Sequence, residues 1–455
     1  MTETSKSPAS QGNTSLYRAV WRWHFYAGLL ILPFMILMAI TGAAYIYRDE
    51  IDDWYHADLK FVEASGQAPL PISQQIDAAL LAVPGSAAKV MPPASPDRSS
   101  EIVIATEAGG REAVYVNPYT GDVLGHMPDR TTIMWVVRRI HSLAEFGTIP
   151  NYIIEIASGW AILLVLTGMY LWWPRGNQKG GVVSLRGTPK RRIWWRDAHA
   201  VTGIFIGVFI IFMAGTGMFW SVFWGKYANQ FANGTPNGYP SGVRIDVPLS
   251  TIPMIDAFGD VSWINENIPL PQSVDGGANP VTKPNPIGID QAVATFNDMG
   301  LTPGYVVALP RSETGVYSAS IYPDDLSLQR VIHLDQYSGR PLIDMGYADY
   351  GKIMEFGINV HMGQEFGIAN QIILLVICAL IIFMSVSAGV MWWKRRPAGA
   401  LGVPPMPRDT GKLKTVTAIL VIGGIIYPTV GASMIVIWLL DYLLVARPQR
   451  KLRTA

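Results

Sequence analysis

WRWHFYAGLLILPFMILMAITG (Trp21–Gly42) and RDAHAVTGIFIGVFIIFMAGTG (Arg196–Gly217) are the two stretches whose reading decides the architecture of this chain. Each carries an apolar run of about the 20 residues that a helix needs to cross a roughly 30 Å hydrocarbon core. Each also opens on an arginine and a histidine. His24 is followed by Gly28 and then by Thr41-Gly42, and His199 by Gly203 and then by Thr216-Gly217, at identical offsets. Hydropathy alone does not align histidine, glycine and threonine in this way; an internal duplication does.

The rest of the chain extends this reading. Of 455 residues, 50% are apolar and 15% charged, against roughly 25% charged in soluble globular proteins. The net charge of +1 offers nothing to a nucleic acid, so the basic residues matter by position. Cys378 is the single cysteine, which excludes an intrachain disulfide, a multi-cysteine zinc site and a protein-held iron–sulfur cluster. Any redox chemistry must use other ligands.

Apolar spans are expected over Phe25–Tyr47, Ile153–Trp173, Val201–Trp224 and Ile368–Trp393, each ending near interfacial aromatics such as Trp172, Trp173, Trp392 and Trp393. Between the second and third lie Arg175, Lys179, Arg186, Lys190, Arg191, Arg192 and Arg196; after the fourth come Lys394, Arg395, Arg396, Arg408, Lys412 and Lys414. Positive-inside logic puts both loops in the cytoplasm, and with them the N-terminus, whose polar opening lacks the layout of a cleavable signal peptide.

The expected order is therefore a cytoplasmic tail (1–15), a first transmembrane helix (16–47), an external module (48–137), a His-bearing segment with the second helix (138–174), a basic cytoplasmic loop (175–198), a third helix (199–225), a second external module (226–352), a His-bearing segment with the fourth helix (353–394) and a second basic loop (395–414). Residues 415–455 form a hydrophobic segment with a basic tail. Thr415–Val445 is too long for one ordinary span and too short for two, and Pro428 lies in its middle. A hairpin broken there is favoured over one kinked helix, because Arg447–Arg453 prefers the cytoplasm.

Both external segments read as α+β. ISQQIDAALLAV (from Ile72) and IDQAVATFNDMG (from Ile289) have helical periodicity, and EIVIATEAG, EAVYVNPYTGDVLG and SASIYPDDLSLQRVIHLDQYSGRPL read as strands with turns at Pro118–Gly121 and near Tyr337–Gly339. The intervening Asn229–Pro286, rich in Gly, Pro and Asn, reads as irregular surface loop.

The repeat extends to a second pair of histidines. His141 begins HSLAEFG, with Asn151 and TGMYLWWPR beyond it; His361 begins HMGQEFG, with Asn370 and SAGVMWWKRR beyond it. By topology His24 and His199 sit toward the cytoplasmic face and His141 and His361 toward the external one. A histidine beside a membrane span is costly and by default a functional residue. One alone caps a helix as readily as it binds a metal, but four in duplicated register suit haem iron, which two facing imidazoles saturate axially. A four-helix bundle has room for such a group between its helices. Zinc or a di-iron centre would want converging carboxylates or cysteines, and the spans hold little beyond Glu155. The glycines of the spans serve close helix packing as well as a flat macrocycle.

Arg22 and Arg196, beside the cytoplasmic histidines, and Arg138 and Arg139, beside His141, are placed to meet haem propionates or, for the first two, lipid headgroups. Glu145 and Glu365, four residues after an external histidine, share its face if the segment is helical. His56, His126 and His333 read as solvated surface residues, and Trp263, Tyr305 and Tyr347 as candidates to line an external substrate site.

Together WRWHFYAGLLILPFMILMAITG, IHSLAEFG, RDAHAVTGIFIGVFIIFMAGTG and VHMGQEFG resemble the four histidine motifs of the PepSY-associated transmembrane proteins of bacteria, a family that includes siderophore-iron reductases. VYVNPYTGDVLG and VIHLDQYSGRPL resemble the closing strands of its PepSY modules, and the likeness runs from about residue 16 to 397. It implies an inner-membrane, all-α core of four transmembrane helices with internal duplication, two periplasmic α+β PepSY-like modules, and two b-type haems with His24, His199, His141 and His361 as axial ligands. It also implies reduction of a ferric siderophore or other ferric chelate in the periplasm. No GxGxxG unit is present, so the electrons are expected from a cytoplasmic reductase or a membrane quinol. Two competing readings are a non-redox PepSY protein anchored by its spans to bind or regulate, and a transporter. The repeat is parallel rather than inverted, which argues against a transporter.

Overall fold

The computed structural model describes residues 8–175, 181–234, 247–259, 261–274, 284–398, 401–404 and 410–443. In chain order these form α1 (Pro8–Tyr45), α2 (Arg48–Tyr55), α3 (Ala57–Lys60), α4 (Ile72–Ala82), β1 (Gly85–Met91), β2 (Ser100–Thr106), β3 (Arg111–Val116), β4 (Val123–Pro128), α5 (Ile133–His141), α6 (Thr148–Trp172), α7 (Arg192–Gly217) and α8 (Trp224–Gly234). There follow β5 (Leu249–Pro253), α9 (Met254–Phe258), β6 (Pro269–Pro271), α10 (Ile289–Asp298), β7 (Val306–Ala308), β8 (Val316–Ile321), β9 (Arg330–Asp335), β10 (Pro341–Met345), α11 (Asp349–Met362), α12 (Gly367–Arg395), α13 (Thr410–Ile426) and α14 (Pro428–Asp441). They fall into two compact units, one of Met1–Ile46, Arg138–Lys226 and Ile372–Ala455, the other of Tyr47–Val137 and Tyr227–Gln371.

The first unit is helical. Among the described residues four helices are long and apolar enough to cross a membrane: Leu16–Tyr45, Thr148–Trp172, Arg192–Trp220 and Gly367–Arg395. Pro33 lies inside α1 without ending it, as neighbouring helices allow when there is no water to compete for the backbone. Trp23 of α1 stacks on Trp160 of α6, ring centroids 6.3 Å apart. Glu155, buried on α6, accepts from the backbone N–H groups of Phe223 (2.9 Å) and Trp224 (3.3 Å) and from Thr429 Oγ1 (3.0 Å). One carboxylate thus meets the first turns of both α8 and α14, where unpaired N–H groups and the helix dipole favour an anion.

The C-terminal apolar stretch is two helices, α13 and α14, parted at Tyr427–Pro428. Gly424 and Gly431 meet so closely that a Cβ on Gly424 would lie 2.7 Å from the Gly431 backbone. A continuous helix keeps residues seven apart about 10 Å from each other along its axis, so the chain bends sharply at the proline. The basic tail from Arg447 lies outside the described residues.

The second unit is built on one antiparallel sheet of eight strands in the order β10-β9-β8-β7-β1-β2-β3-β4. The two polar segments between the spans therefore do not stay apart: β1 pairs with β7, Lys89 opposite Ala308 and Val90 opposite Val307, and each segment supplies half of the strands. Strand alternation turns Val90, Ile102, Ile104, Val114, Val307, Ala319 and Ile332 to one face, where they pack with Ile76 and Ala79 of α4 and Ala292 and Phe296 of α10. Ser73 at the start of α4 bonds Asp290 at the start of α10 through both its backbone N–H (3.0 Å) and its hydroxyl (2.5 Å). The expected turns are present; Gly121 and Gly339 hold φ of 78° and 70°, a region that costs glycine nothing.

One expectation fails. Of Asn229–Pro286, residues 235–246, 260 and 275–283 lie outside the described residues; the rest is not simply irregular loop, since it contains the end of α8, the β5–β6 pair and α9, and Met254, Phe258, Ile268 and Leu270 form a second core with Ala308, Val331 and Ile343. Its many prolines and glycines hid short elements whose apolar side chains pack on the sheet.

Candidate functional site

His24 on α1 and His199 on α7 face each other, ring centroids 6.5 Å apart and planes at 86°. Each is fixed from behind. His24 Nδ1 lies 2.9 Å from Thr167 Oγ1 on α6, and that hydroxyl spends its one proton on Leu163 O at 2.7 Å. It can only accept from the imidazole, so His24 carries its proton on Nδ1 and presents the Nε2 lone pair. His199 Nδ1 lies 3.1 Å from Met384 O and 3.2 Å from Ser387 Oγ on α12, and Ser387 itself donates to Met384 O at 2.6 Å. A carbonyl accepts only, so His199 holds the same tautomer. Gly168, next to Thr167, lets the His24 ring approach; a Cβ there would sit 3.3 Å from Cε1.

Both rings border a cavity of about 700 Å³, with Gly28 and Gly203 in its wall and Arg18, Arg175, Arg192, Arg196 and Arg395 around it. The 6.5 Å between ring centroids leaves room for one metal ion that each imidazole would bind at about 2 Å. The observed separation, the two free Nε2 atoms and the apolar cavity fit a bis-imidazole haem. Among the described residues no three His, Cys, Asp or Glu side chains converge as a metal-holding group.

The arginines are sorted by the fold. Arg196 borders the cavity, and its guanidinium is held by Asp197, which is fully buried and also grips Arg186 through Nε at 2.8 Å. Arg395 lies 4.9 Å from the ring centres of both Trp21 and Phe25. Arg22 does not border the cavity; it is buried, donates to Pro404 O at 2.6 Å and lies over the Tyr26 ring. Arg138 is half-buried in the last turn of α5, and Arg139 donates to Glu145 Oε2 at 2.5 Å.

His141 repeats the seating of His24. Its Nδ1 lies 2.8 Å from Thr41 Oγ1, which donates to Leu37 O at 2.7 Å, and a Cβ on Gly42 would lie 3.4 Å from its Cε1. His361 lies in the last turn of α11. His141 belongs to the helical unit and His361 to the sheet unit.

Other expectations change. Glu145 and Glu365 do not continue their histidines' helices: Leu143 (φ 57°) follows His141 and Gly363 (φ 81°) follows His361, both left-handed. Glu145 instead pairs with Arg139, and Glu365 accepts from Asn359 Nδ2 at 3.2 Å. His333 is not on the surface; it is buried in β9 with Nδ1 2.7 Å from Ser318 Oγ, and burial lowers its pKa to about 3. His126 is exposed beside Glu112, and His56 is half-buried with a long 3.4 Å bond from Ile133 N–H. Trp263 and Tyr305 are core residues, leaving Tyr347, beside a cleft of about 590 Å³, as the one still open to a ligand. Thr41 and Thr167 lie in Thr-Gly pairs of the quoted motifs, which marked the register but not their contact with a ring; Met384 acts through its backbone carbonyl, for which the sequence carries no signal.

Fold and site together define a membrane protein of four long apolar helices that hold opposed, tautomer-fixed histidines, joined to an antiparallel sheet unit. The model of the PepSY-associated TM region matches residues 21–395, and the chain belongs to that family. No curated protein matches it.

Proposed function

We propose that this chain is a transmembrane electron carrier that holds two b-type haems and reduces a ferric siderophore or other ferric chelate on the periplasmic side. Its electrons would come from a cytoplasmic reductase or a membrane quinol. The observation that carries the reading is the facing of His24 and His199 across an apolar cavity with both Nδ1 protons spent on protein acceptors.

Bound haem would supply a one-electron couple whose iron two imidazoles saturate, which suits electron transfer rather than oxygen activation. The rest is the work of the chain. His24 and His199 would hold the haem iron through Nε2, while Thr167 and Met384 fix ring orientation. Arg196, with Arg18, Arg175, Arg192 and Arg395, offers charge-assisted bonds to propionates. Arg22, which donates to Pro404 O, and Arg138 and Arg139, the latter paired with Glu145, remain candidates for the same role.

For the second haem, His141 is seated as His24 is; its pairing with His361 rests on the register of the duplicated sequence. The basic loops argue for a cytoplasmic N-terminus and a periplasmic sheet unit. Hard oxygen chelators hold Fe(III) far better than Fe(II), so reduction alone would release the metal. A non-redox anchor would give no reason for fixed imidazole tautomers around a cavity.

The test is the spectrum of the purified protein, oxidised and dithionite-reduced, with pyridine haemochrome quantification. About two b-type haems per chain are expected, with His24→Ala and His361→Ala each losing one. A chain that takes up no haem when haem is ample during expression would leave the anchored binding protein as the better account.

A further inference from the structure

Helix α11 has two unlike faces. Gly351, Glu355, Ile358 and Asn359 are buried, and Glu355 accepts from Ile264 N–H at 2.9 Å and Tyr322 Oη–H at 3.0 Å. Tyr350, Ile353 and Phe356, spaced by three along the helix, are 37%, 65% and 41% exposed. That spacing makes one apolar stripe. The stripe does not end with the helix. The Phe356 ring meets Phe366 edge-on at 5.9 Å, and Phe366 and Ile368, at the start of the membrane span α12, are 60% and 72% exposed. Asn370 Nδ2 donates to Val360 O at 2.8 Å, tying the first turn of α12 to the last turn of α11.

A second junction lies beside it. Arg48, just past α1, donates to Met362 O at the end of α11 at 3.5 Å, and α2 exposes Trp54 and Tyr55. Aromatic and long aliphatic side chains beside the ends of spans are the composition of a bilayer interface, where an amphipathic helix lies with its apolar face among headgroups and first acyl carbons.

We propose that α11 lies in the plane of a bilayer interface, with Tyr350, Ile353, Phe356 and Phe366 immersed in lipid. The occupant of the exposed stripe is bilayer lipid, because the stripe runs on through Phe366 to Ile368, in the first turn of an apolar helix long enough to cross a membrane. His361, in the last turn of the same helix, then sits at interfacial depth. Burial of Glu355 and Asn359 on the sheet unit locks the rotation of α11, so that its apolar face has only one way to point.

Spin labels on the full chain, carrying Cys378→Ala and reconstituted in nanodiscs of phosphatidylcholine and phosphatidylglycerol, test this. Labels at Ile353→Cys and Phe356→Cys are expected to be relaxed more by oxygen than by a water-soluble nickel chelate, as at Val376→Cys in α12. Leu81→Cys on α4 supplies the opposite, aqueous pattern. If 353 and 356 follow residue 81, the stripe faces water and the proposal is wrong. Protection from both reagents would mean that protein covers it, which overturns it equally. Should either variant fail to purify as a monodisperse protein, Tyr350→Cys reports on the same stripe.

Discussion

Thr167 fixes what His24 can do. Its hydroxyl proton goes to Leu163 O, so its lone pair receives the imidazole Nδ1–H. Thr167→Val keeps the shape and removes the acceptor, leaving a buried N–H unpaired at a cost of about 1–3 kcal/mol. The expected result is weaker haem retention and a shifted reduction potential for one of two haems, read by redox titration of the spectrum; Thr167→Ser is expected to restore both. Unchanged potential and occupancy in Thr167→Val would show that the hydroxyl does not position the ring. The histidines were legible from the sequence because their register with glycine and threonine repeats. Their hydrogen-bond partners were not, because a threonine on an apolar helix looks the same whether it bonds its own backbone or also a ring from another helix.

At the scale of elements, Glu155 is the clearest case of one side chain organising two helices. Its carboxylate serves Phe223 and Trp224 at the start of α8 and Thr429 in the first turn of α14. Glu155→Ala strands these donors, and a loss of several degrees in the thermal midpoint of the detergent-solubilised protein is expected, from about 1–3 kcal/mol per unsatisfied group. Glu155→Gln, which keeps an acceptor oxygen but no charge for the helix ends, is expected to recover part of it. The carboxylate was visible in the sequence as an oddity at the end of a span, but its purpose was not, because α14 lies far along the chain. Helices α4 and α10 and their turns were readable from period and glycine alone. The elements within Asn229–Pro286 were not, since short strands among prolines carry no periodic signal.

Among the buried ionisable groups of the sheet unit, Glu355 and His333 act in opposite senses. Burial raises the pKa of Glu355 to about 7 and lowers that of His333 to about 3. For Glu355 the folded state binds the proton more tightly, so stability falls as pH rises from about 4.5 through 7. For His333 the unfolded state binds it more tightly, so stability falls as pH drops from about 6.5 toward 3. Each slope is at most about 1.4 kcal/mol per pH unit. Between about pH 4.5 and 6.5 the two cancel, which leaves a plateau with a fall on either side. Thermal melts across pH are expected to lose the alkaline fall in Glu355→Gln and to lessen the acid fall in His333→Gln. Identical profiles in the variants and the parent would count against this assignment.

By itself the sequence determined the membrane spans, the four registered histidines, the two amphipathic helices and the turns, because each is set by residues near one another in the chain: a run of apolar length, a period, a glycine at a left-handed position. Tertiary structure alone decided that β1 and β7 join two segments into one sheet, that His333 is buried, that Arg22 turns to Pro404 while Arg196 borders the cavity, and that threonine and carbonyl groups hold the imidazole tautomers. These depend on which surfaces meet after folding, where the need to bury apolar area and to pair every buried donor selects among partners that lie far apart in sequence.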